Sequence, residues 1–361
     1  MQTKPALDAL SAYKPGKPLE EVRRELGLEK IYKLASNENP FGTSKAVTKL
    51  LKAGDIDLSY YPDGAGRILR EAIAAFHDVP TNQILLGSGL DDVIQIISRA
   101  ILTPGDTIIE AAPTFSQYSL HATIEGAETI RIPVDETTGK SDLTTMADAV
   151  NARTKIIWLC NPNNPTGTIS SQAEVLALLE AVPKNVLVIS DEAYFEYATS
   201  EDYPDTLALL DRFPNLIIMR TFSKIYGLAG LRIGYAIIPE ALQDALNIVR
   251  LPFNTSSIAQ SAAIAALNDQ HFVDTCVQAN SAGLQQWYEF LDQRGLSYYK
   301  SDANFIFFNA ERDATELFNQ LLQKGYIVRA GLKPNWLRIT IGSKSENQGC
   351  IQALASILDN E

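Results

Sequence analysis

The chain has 361 residues, of which 46% are hydrophobic and 20% charged, and its formal net charge is −12. These proportions exclude a disordered or fibrous chain, and the length predicts one large domain with a smaller one. The negative charge, without any basic run, argues against binding to nucleic acid or to an anionic membrane. An anionic substrate would therefore need a pocket built from arginine side chains.

The cysteine pattern and residues 1–12 indicate in which cellular compartment the protein is expected. Cys160, Cys276 and Cys350 lie far apart and form no CxxC or Cys/His pair, so we expect reduced, buried thiols and no metal site. Residues 1–12 lack the pattern of a secretory signal, and no apolar run approaches the ~18 residues of a membrane span. We therefore expect a cytoplasmic protein.

Segments near the start of the chain are rich in turn-forming residues. The arm SAYKPGKP precedes a short helix predicted from about Pro18 to Gly27. The polar stretch SNENP at 36–40 is predicted as a loop, because Asn and Pro favour turns. A second turn, YYPDG at 60–64, is followed by a helix predicted over residues 67–76, where apolar residues recur at helical spacing.

Five apolar stretches are predicted as buried strands, and polar residues follow each of them directly. These stretches are residues 83–86, 107–109, 155–160, 186–189 and 216–219. In open parallel sheets, ligands bind beyond the carboxyl ends of the strands. Polar loops after five such strands therefore predict one binding site at that edge of an α/β sheet.

The first three of these loops suit a flat ligand that carries a phosphate. GSGLDD at 87–92 leads into a predicted helix, where the main-chain N–H groups of Gly89 and Leu90 can bind a phosphate. Phe115 can stack on a flat ring, although filling the core is an equally good explanation for it. The loop NPNNPTG at 161–167 is held rigid by its prolines and presents the Asn164 amide.

The last two loops carry a carboxylate and an amine. A buried carboxylate such as Asp191, at the end of a strand, costs several kcal/mol unless a cation pairs with it. Lys224 lies between the fifth strand and a glycine-rich turn, where neighbouring residues can desolvate it, lower its pKa and make it a nucleophile. Ser223 and Arg232 could hold a phosphate beside this amine.

The remainder of the chain predicts connecting helices and a second, α+β lobe. Helices are expected over about 258–267 and onward to about 293, and strands over 304–308, 326–329 and 336–341. In the last strand, a period of two places Arg338 opposite the core face. Arg338 is therefore either solvated or functional.

The string SKIYGLAGLRIG at 223–234, together with NPNNPTG, resembles the fold-type I aminotransferases that use pyridoxal 5′-phosphate (PLP). The resemblance is strongest to the histidinol-phosphate aminotransferase branch and covers nearly the whole chain. It implies a mostly parallel central sheet with helices on both faces, in a PLP-binding domain of residues 30–265. It also implies a small domain of residues 1–29 and 266–361, and a homodimer with shared active sites.

The resemblance further implies a role for each site residue. Lys224 would bind PLP covalently and move a proton, Asp191 would pair with the pyridinium nitrogen, and Tyr194 would donate to the phenolic oxygen. Other cofactor contacts would come from Gly89, Leu90, Phe115, Asn164, Ser223 and Arg232, and from Tyr61 of the other subunit. Substrate contacts would come from Tyr13, Asn37, Tyr61, Asn164, Arg329 and Arg338.

The resemblance makes histidinol phosphate the first choice of amine and 2-oxoglutarate the acceptor. Phenylalanine or tyrosine transamination is second, and decarboxylation of a phosphorylated amino acid is third. A nicotinamide dehydrogenase is disfavoured, because GAGRIL at 64–69 is one residue short of GxGxxG and follows YYP instead of an apolar strand. A pure binding module would have no use for Lys224 beside Ser223 and Arg232.

Overall fold

Within the residues that the structure describes, the strands form three separate sheets. The structure is a computed structural model, and it describes residues 3–10 and 19–359. In this part the strands are β1 (Tyr32–Lys33), β2 (Ile84–Gly87), β3 (Thr107–Ala112), β4 (Glu128–Pro133), β5 (Thr154–Cys160), β6 (Leu187–Asp191), β7 (Leu216–Thr221), β8 (Gly234–Ile237), β9 (Tyr298–Tyr299), β10 (Phe305–Asn309), β11 (Tyr326–Ile327) and β12 (Trp336–Thr340). The helices are α1 (Leu19–Leu26), α2 (Lys45–Ala53), α3 (Arg67–His77), α4 (Leu90–Ile101), α5 (Gln117–Ile124), α6 (Leu143–Asp148), α7 (Gln172–Ala181), α8 (Gln243–Val249), α9 (Ser257–Leu267), α10 (Gln270–Arg294), α11 (Ala314–Gln323) and α12 (Lys344–Asp359).

The central sheet has seven strands in the order β2-β8-β7-β6-β5-β3-β4. The neighbouring pairs from β7 to β4 are parallel, whereas β8 is antiparallel to both β2 and β7. Because β8 alone is reversed, the carboxyl ends of the other strands meet at one edge. The five predicted strands are all present in this sheet, so the predicted mostly parallel α/β fold is confirmed.

Apolar side chains cover both faces of the central sheet. Along β7, Leu216 and Ile218 belong to the core on one face, and Ile217 and Met219 belong to the core on the other. Residues of α2, α3, α7 and α9 complete the first core, and residues of α4, α5 and α8 complete the second. This arrangement explains the continuous apolar run, because successive residues of a strand point to opposite faces.

A smaller α+β lobe contains the antiparallel sheet β12-β10-β9, packed on α10, α11 and α12. The long helix α10 joins the lobes: Val273 and Cys276 belong to a core of the large lobe, and Leu284 and Trp287 to the core of the small lobe. The strand β1 pairs with β11, so residues 32–33 join the small lobe by pairing, although we predicted them in the large domain. The predicted division into domains otherwise stays a prediction.

All three cysteines lie in the described part of the chain, where they are buried and free. Over the same residues, no helix combines the length and the apolar character that crossing a bilayer requires. No three His, Cys, Asp or Glu side chains in this part are grouped so that they could hold a metal ion.

Candidate active site

A cavity of about 220 Å³ opens at the carboxyl edge of the central sheet, between the two lobes. Its walls come from the loops after β2, β3, β5, β6 and β7, from the SNENP segment, and from the small lobe. It brings together most of the predicted site residues: Asn37, Leu90, Phe115, Asn164, Asp191, Tyr194, Ser223, Lys224, Arg232, Arg329 and Arg338. Side chains from distant parts of the chain therefore share one space.

Lys224 follows strand β7 of the central sheet and reaches into the cavity. Its Nζ donates a hydrogen bond to the carbonyl oxygen of Ser36 at 3.0 Å and lies 5.6 Å from the centre of the Tyr194 ring. Burial, and to a smaller extent the positive charge of Arg338, lowers the pKa of Lys224 to about 8. Because this pKa is close to neutral pH, part of the amine is unprotonated there and can act as a nucleophile.

Asp191 is the last residue of β6 and is only 3% exposed. One carboxylate oxygen accepts from the Ala193 N–H at 3.1 Å, and the other accepts from the Tyr118 hydroxyl at 2.5 Å. Burial raises the pKa of Asp191 to about 6, even though both hydrogen bonds act to lower it. A buried carboxyl in this state is stabilised by a cation placed beside it in the cavity.

The Tyr194 hydroxyl faces the cavity and contacts two side-chain amides. The hydroxyl oxygen accepts from Asn37 Nδ2 at 3.0 Å and from Asn164 Nδ2 at 3.4 Å. Burial raises the pKa of Tyr194 well above its usual value, so the hydroxyl keeps its proton. With its oxygen accepting from amides, the hydroxyl can donate that proton to an oxygen of a ligand.

Arg338 lies in β12 and is 7% exposed, so the solvated alternative for this residue is wrong. The face of β12 opposite the small-lobe core meets the large lobe instead of water. Nη1 donates to Asn164 Oδ1 at 2.5 Å and Nη2 donates to the Ala35 carbonyl at 2.6 Å. Arg329 exchanges two backbone hydrogen bonds with Arg338, which places two arginines side by side at the cavity wall.

The start of α4 and Arg232 form the opposite end of the cavity. The first N–H groups of a helix lack partners within the helix, so the N-terminus of α4 at Leu90 favours an anion. Arg232, with φ of 51°, places its guanidinium against Gly89, where an added Cβ would collide with it. Arg232 Nη2 lies 3.4 Å from Asp91 Oδ2. This end of the cavity therefore combines a cation with main-chain donors.

Comparison with known proteins identifies the chain. Residues 29–354 match the family Aminotransferase class I and II. The chain belongs to this family. It is 49% identical to the histidinol-phosphate aminotransferase of Bacillus licheniformis, over 99% of this chain and 100% of that protein. It is 50% identical to the enzyme of the same name from Bacillus velezensis, with the same coverage.

Solved structures agree with this assignment. The crystal structure of histidinol-phosphate aminotransferase from Sinorhizobium meliloti, in complex with PLP, is 27% identical, with a TM-score of 0.90 over 99% of this chain and 97% of that one. The predicted fold-type I aminotransferase is thereby confirmed, and the dehydrogenase and the pure binding module are excluded. PLP is the cofactor of this aminotransferase family.

The cavity residues fit PLP group by group. Lys224 would supply an amine for the aldehyde, and Asp191 would supply a carboxylate for the ring nitrogen. Tyr194 would supply a hydroxyl for the phenolic oxygen, whereas Arg232 and the α4 N-terminus at Leu90 would suit the phosphate. The cavity therefore offers each polar group of PLP a chemically matched partner.

Three predicted site residues are not in the described lining of the cavity. Gly89 adjoins Leu90 and forms the N-cap of α4, with φ of 79°. Tyr61 is 82% exposed, and its ring stacks on Phe253 at 4.6 Å between centroids. Tyr13 lies outside the described residues. The roles predicted for these residues stay predictions.

The structure also shows contacts that sequence reasoning missed. Ser36 accepts from Lys224, Asp91 pairs with Arg232, and Tyr118 donates to Asp191. Ser36 belongs to the SNENP segment and Asp91 to the GSGLDD segment, both of which were noted in the sequence. Tyr118 lies three residues after Phe115, and its position in the polar segment that follows β3 was the sequence feature that could have indicated a role at the site. Each of these contacts joins residues that are distant in the chain, which explains why local patterns did not reveal them.

Proposed function

We propose that this aminotransferase transfers the amino group of histidinol phosphate to 2-oxoglutarate, giving imidazole-acetol phosphate and glutamate. The observation that carries this proposal is the full-length identity, 49% and 50%, to proteins named histidinol-phosphate aminotransferase. We further propose that the protein acts in the cytoplasm as a homodimer.

The cavity residues divide the work of holding the cofactor and moving the proton. Bound PLP supplies an electron sink for the substrate carbon. Asp191, buried and hydrogen-bonded on both oxygens, favours a protonated ring nitrogen. Lys224 is the attachment point of the cofactor. Once its Nζ is released, a pKa of about 8 suits it to take the proton from the substrate carbon that bears the amino group.

The two arginines at the small-lobe wall account for anionic substrates. Arg338 is held by Asn164 and the Ala35 carbonyl, so its guanidinium needs little reorganisation when a ligand arrives. Its planar fork matches a phosphate or a carboxylate, and Arg329 lies next to it. One site can thus serve histidinol phosphate in the first half-reaction and 2-oxoglutarate in the second.

Steady-state kinetics with a panel of amines tests the choice of substrate. With 2-oxoglutarate as acceptor, histidinol phosphate should give the highest kcat/KM, ahead of phenylalanine, tyrosine and unphosphorylated histidinol. A phosphorylated amino acid should release no carbon dioxide. Much faster turnover of phenylalanine than of histidinol phosphate would instead establish an aromatic aminotransferase.

A further inference from the structure

The hydroxyl of Tyr118 contacts Asp191 from behind the cavity. Tyr118 belongs to α5, is fully buried, and is not in the described lining of the cavity. Its hydroxyl donates to Asp191 Oδ2 at 2.5 Å, a distance typical of a strong hydrogen bond to a charged oxygen. The tyrosine therefore touches the carboxylate and leaves the carboxylate's cavity side accessible.

Two aromatic side chains fix the Tyr118 ring in this position. The ring lies parallel to Trp158 of β5, with centroids 4.6 Å apart and an interplanar angle of 7°. Phe115 packs edge-on against it at 5.6 Å and 79°. Packed on both neighbours, the ring cannot swing its hydroxyl away from Asp191 without opening the core. The packing of the core therefore holds the Tyr118 hydroxyl in hydrogen-bonding position beside Asp191.

The charges around Asp191 show what this hydrogen bond does. Burial, and then the negative charge of Asp191, raises the pKa of Tyr118 well above its usual value, so the hydroxyl remains a donor. Burial has the largest effect and raises the pKa of Asp191, and the negative charges of Asp91 in α4 and of Glu192, directly after β6, act in the same direction. Cys160 of β5 faces both side chains as a neutral thiol, since burial raises its pKa to about 12.

We propose that Tyr118 is a positioning residue that keeps Asp191 ionised and holds its carboxylate toward the ring nitrogen of PLP. The Tyr118 hydroxyl and the Ala193 N–H are the two hydrogen-bond donors that stabilise the charged Asp191 carboxylate. They act against burial and against the negative charges of Asp91 and Glu192. The inference rests on the proposed function for the role of Asp191. It does not depend on which amine is the substrate.

Titration of the cofactor-free protein tests the proposal without any turnover. Tyr118→Phe keeps the ring on Trp158 and removes only the hydroxyl. With aspartate labelled by ¹³C at the carboxyl carbon, and the Asp191 signal assigned from Asp191→Asn, the Asp191 midpoint should move upward by about one pH unit or more. An unchanged midpoint in a folded Tyr118→Phe protein overturns the proposal.

Tyr299→Phe is the matched control for this titration. Tyr299 is also a buried tyrosine, stacked on Trp336 at 4.5 Å, and its hydroxyl donates to the Glu136 carbonyl at 3.0 Å. Neither a hydrogen bond nor a ring contact joins Tyr299 to Asp191, so removing its hydroxyl should leave the Asp191 midpoint in place. If the Asp191 midpoint moved equally in both variants, the cause would be a general loosening of the protein core, and the proposal would also be overturned.

A double-mutant cycle on the PLP-loaded enzyme separates positioning from packing. Tyr118→Phe should lower single-turnover rates by about tenfold to a hundredfold when Asp191 is present, the range for a hydrogen bond to a charged group. In an Asp191→Asn background the same change should have little further effect. Equal losses in both backgrounds would mean that Tyr118 acts independently of Asp191. Any amine that the wild type accepts serves here, so failure of the histidinol-phosphate proposal would be seen separately.

Discussion

At the scale of single residues, the reactivity of Lys224 is set by its surroundings more than by its side chain. Burial disfavours the ammonium form, and Arg338 repels it, so the pKa of Lys224 falls to about 8 from an ordinary 10.5. A lowered pKa means that the neutral amine predominates above about pH 8 and is lost as the pH falls below it. A solvated lysine would need a far more alkaline solution to react.

The first prediction follows from this pKa. Covalent attachment of PLP to the cofactor-free protein should speed up as the pH rises to about 8 and then level off. Borohydride reduction followed by peptide mass spectrometry should place the cofactor on the peptide that contains Lys224. Lys224→Ala should stay unlabelled. Labelling of another lysine in the wild type, or no yellow protein after incubation with PLP, would contradict the assignment.

The second prediction concerns Arg338. Arg338→Ala should weaken histidinol phosphate and 2-oxoglutarate alike, by ~1.5–3 kcal/mol each, the magnitude for a lost charged hydrogen bond. Unphosphorylated histidinol should change little, because it lacks the anion. Arg338→Lys is the matched control: it keeps the charge but loses the two-pronged fork, so an intermediate loss is expected. Loss of 2-oxoglutarate binding alone would assign the phosphate to another group.

At the scale of elements, the strands that local patterns revealed are those buried on both faces. The run 216–219 could be predicted because every residue of β7 is buried. The strand β4 was missed because most of its residues are partly or fully exposed and it lies at the edge of the sheet. The two-residue strands β1 and β9 exist only through pairing with β11 and β10, and sequence patterns do not encode such distant partners.

A buried ion pair joins the ends of β6 and β7 behind the active site. Arg220 donates to Glu192 Oε2 through Nε at 3.0 Å and Nη2 at 2.8 Å, and its guanidinium lies 3.6 Å from the centre of the Phe195 ring. Glu192 directly follows Asp191, and Arg220 precedes Lys224 by four residues. The pair therefore fixes two strand ends that carry site residues.

The third prediction is that this pair is needed for stability. Arg220→Met should lower the free energy of unfolding by about 3–5 kcal/mol, because it leaves the Glu192 carboxylate buried without its cation. Changing both residues, Arg220→Met with Glu192→Gln, should recover part of the loss. Urea denaturation of the wild type, of each single variant and of the double variant measures both effects. If the double variant lost as much stability as the two single variants together, or more, the ion-pair explanation would fail.

At the scale of the whole molecule, an acidic protein places four cationic side chains around one cavity. The chain carries a net charge of −12, whereas Lys224, Arg232, Arg329 and Arg338 all line the site. The position of this site could be predicted, because polar loops follow several parallel strands whose ends share an edge. The closure of the site by β12 of the small lobe could not be predicted from residue patterns, since it depends on how two lobes pack; only the family resemblance placed Arg338 at the site.

The fourth prediction concerns the second subunit. Tyr61 is 82% exposed and stacks on Phe253, which is 45% exposed, so the two rings form an apolar surface patch. Such a surface suits contact with another protein surface. We propose that two copies pair here and that Tyr61 reaches the cofactor phosphate of the partner's site, as the family resemblance implies. Tyr61→Ala should then weaken PLP binding without changing the charge of either site.

Mixing two defective variants tests whether the site is shared. Lys224→Ala lacks the attachment lysine, and Tyr61→Ala lacks the proposed contribution in trans. In a heterodimer of the two, one site would combine Lys224 from one subunit with Tyr61 from the other, because both defects fall in the remaining site. Activity should therefore return after subunit exchange, and each heterodimer should contain at most one active site. A mixture that stays inactive, although native mass spectrometry shows heterodimers, would mean that each subunit builds its site alone.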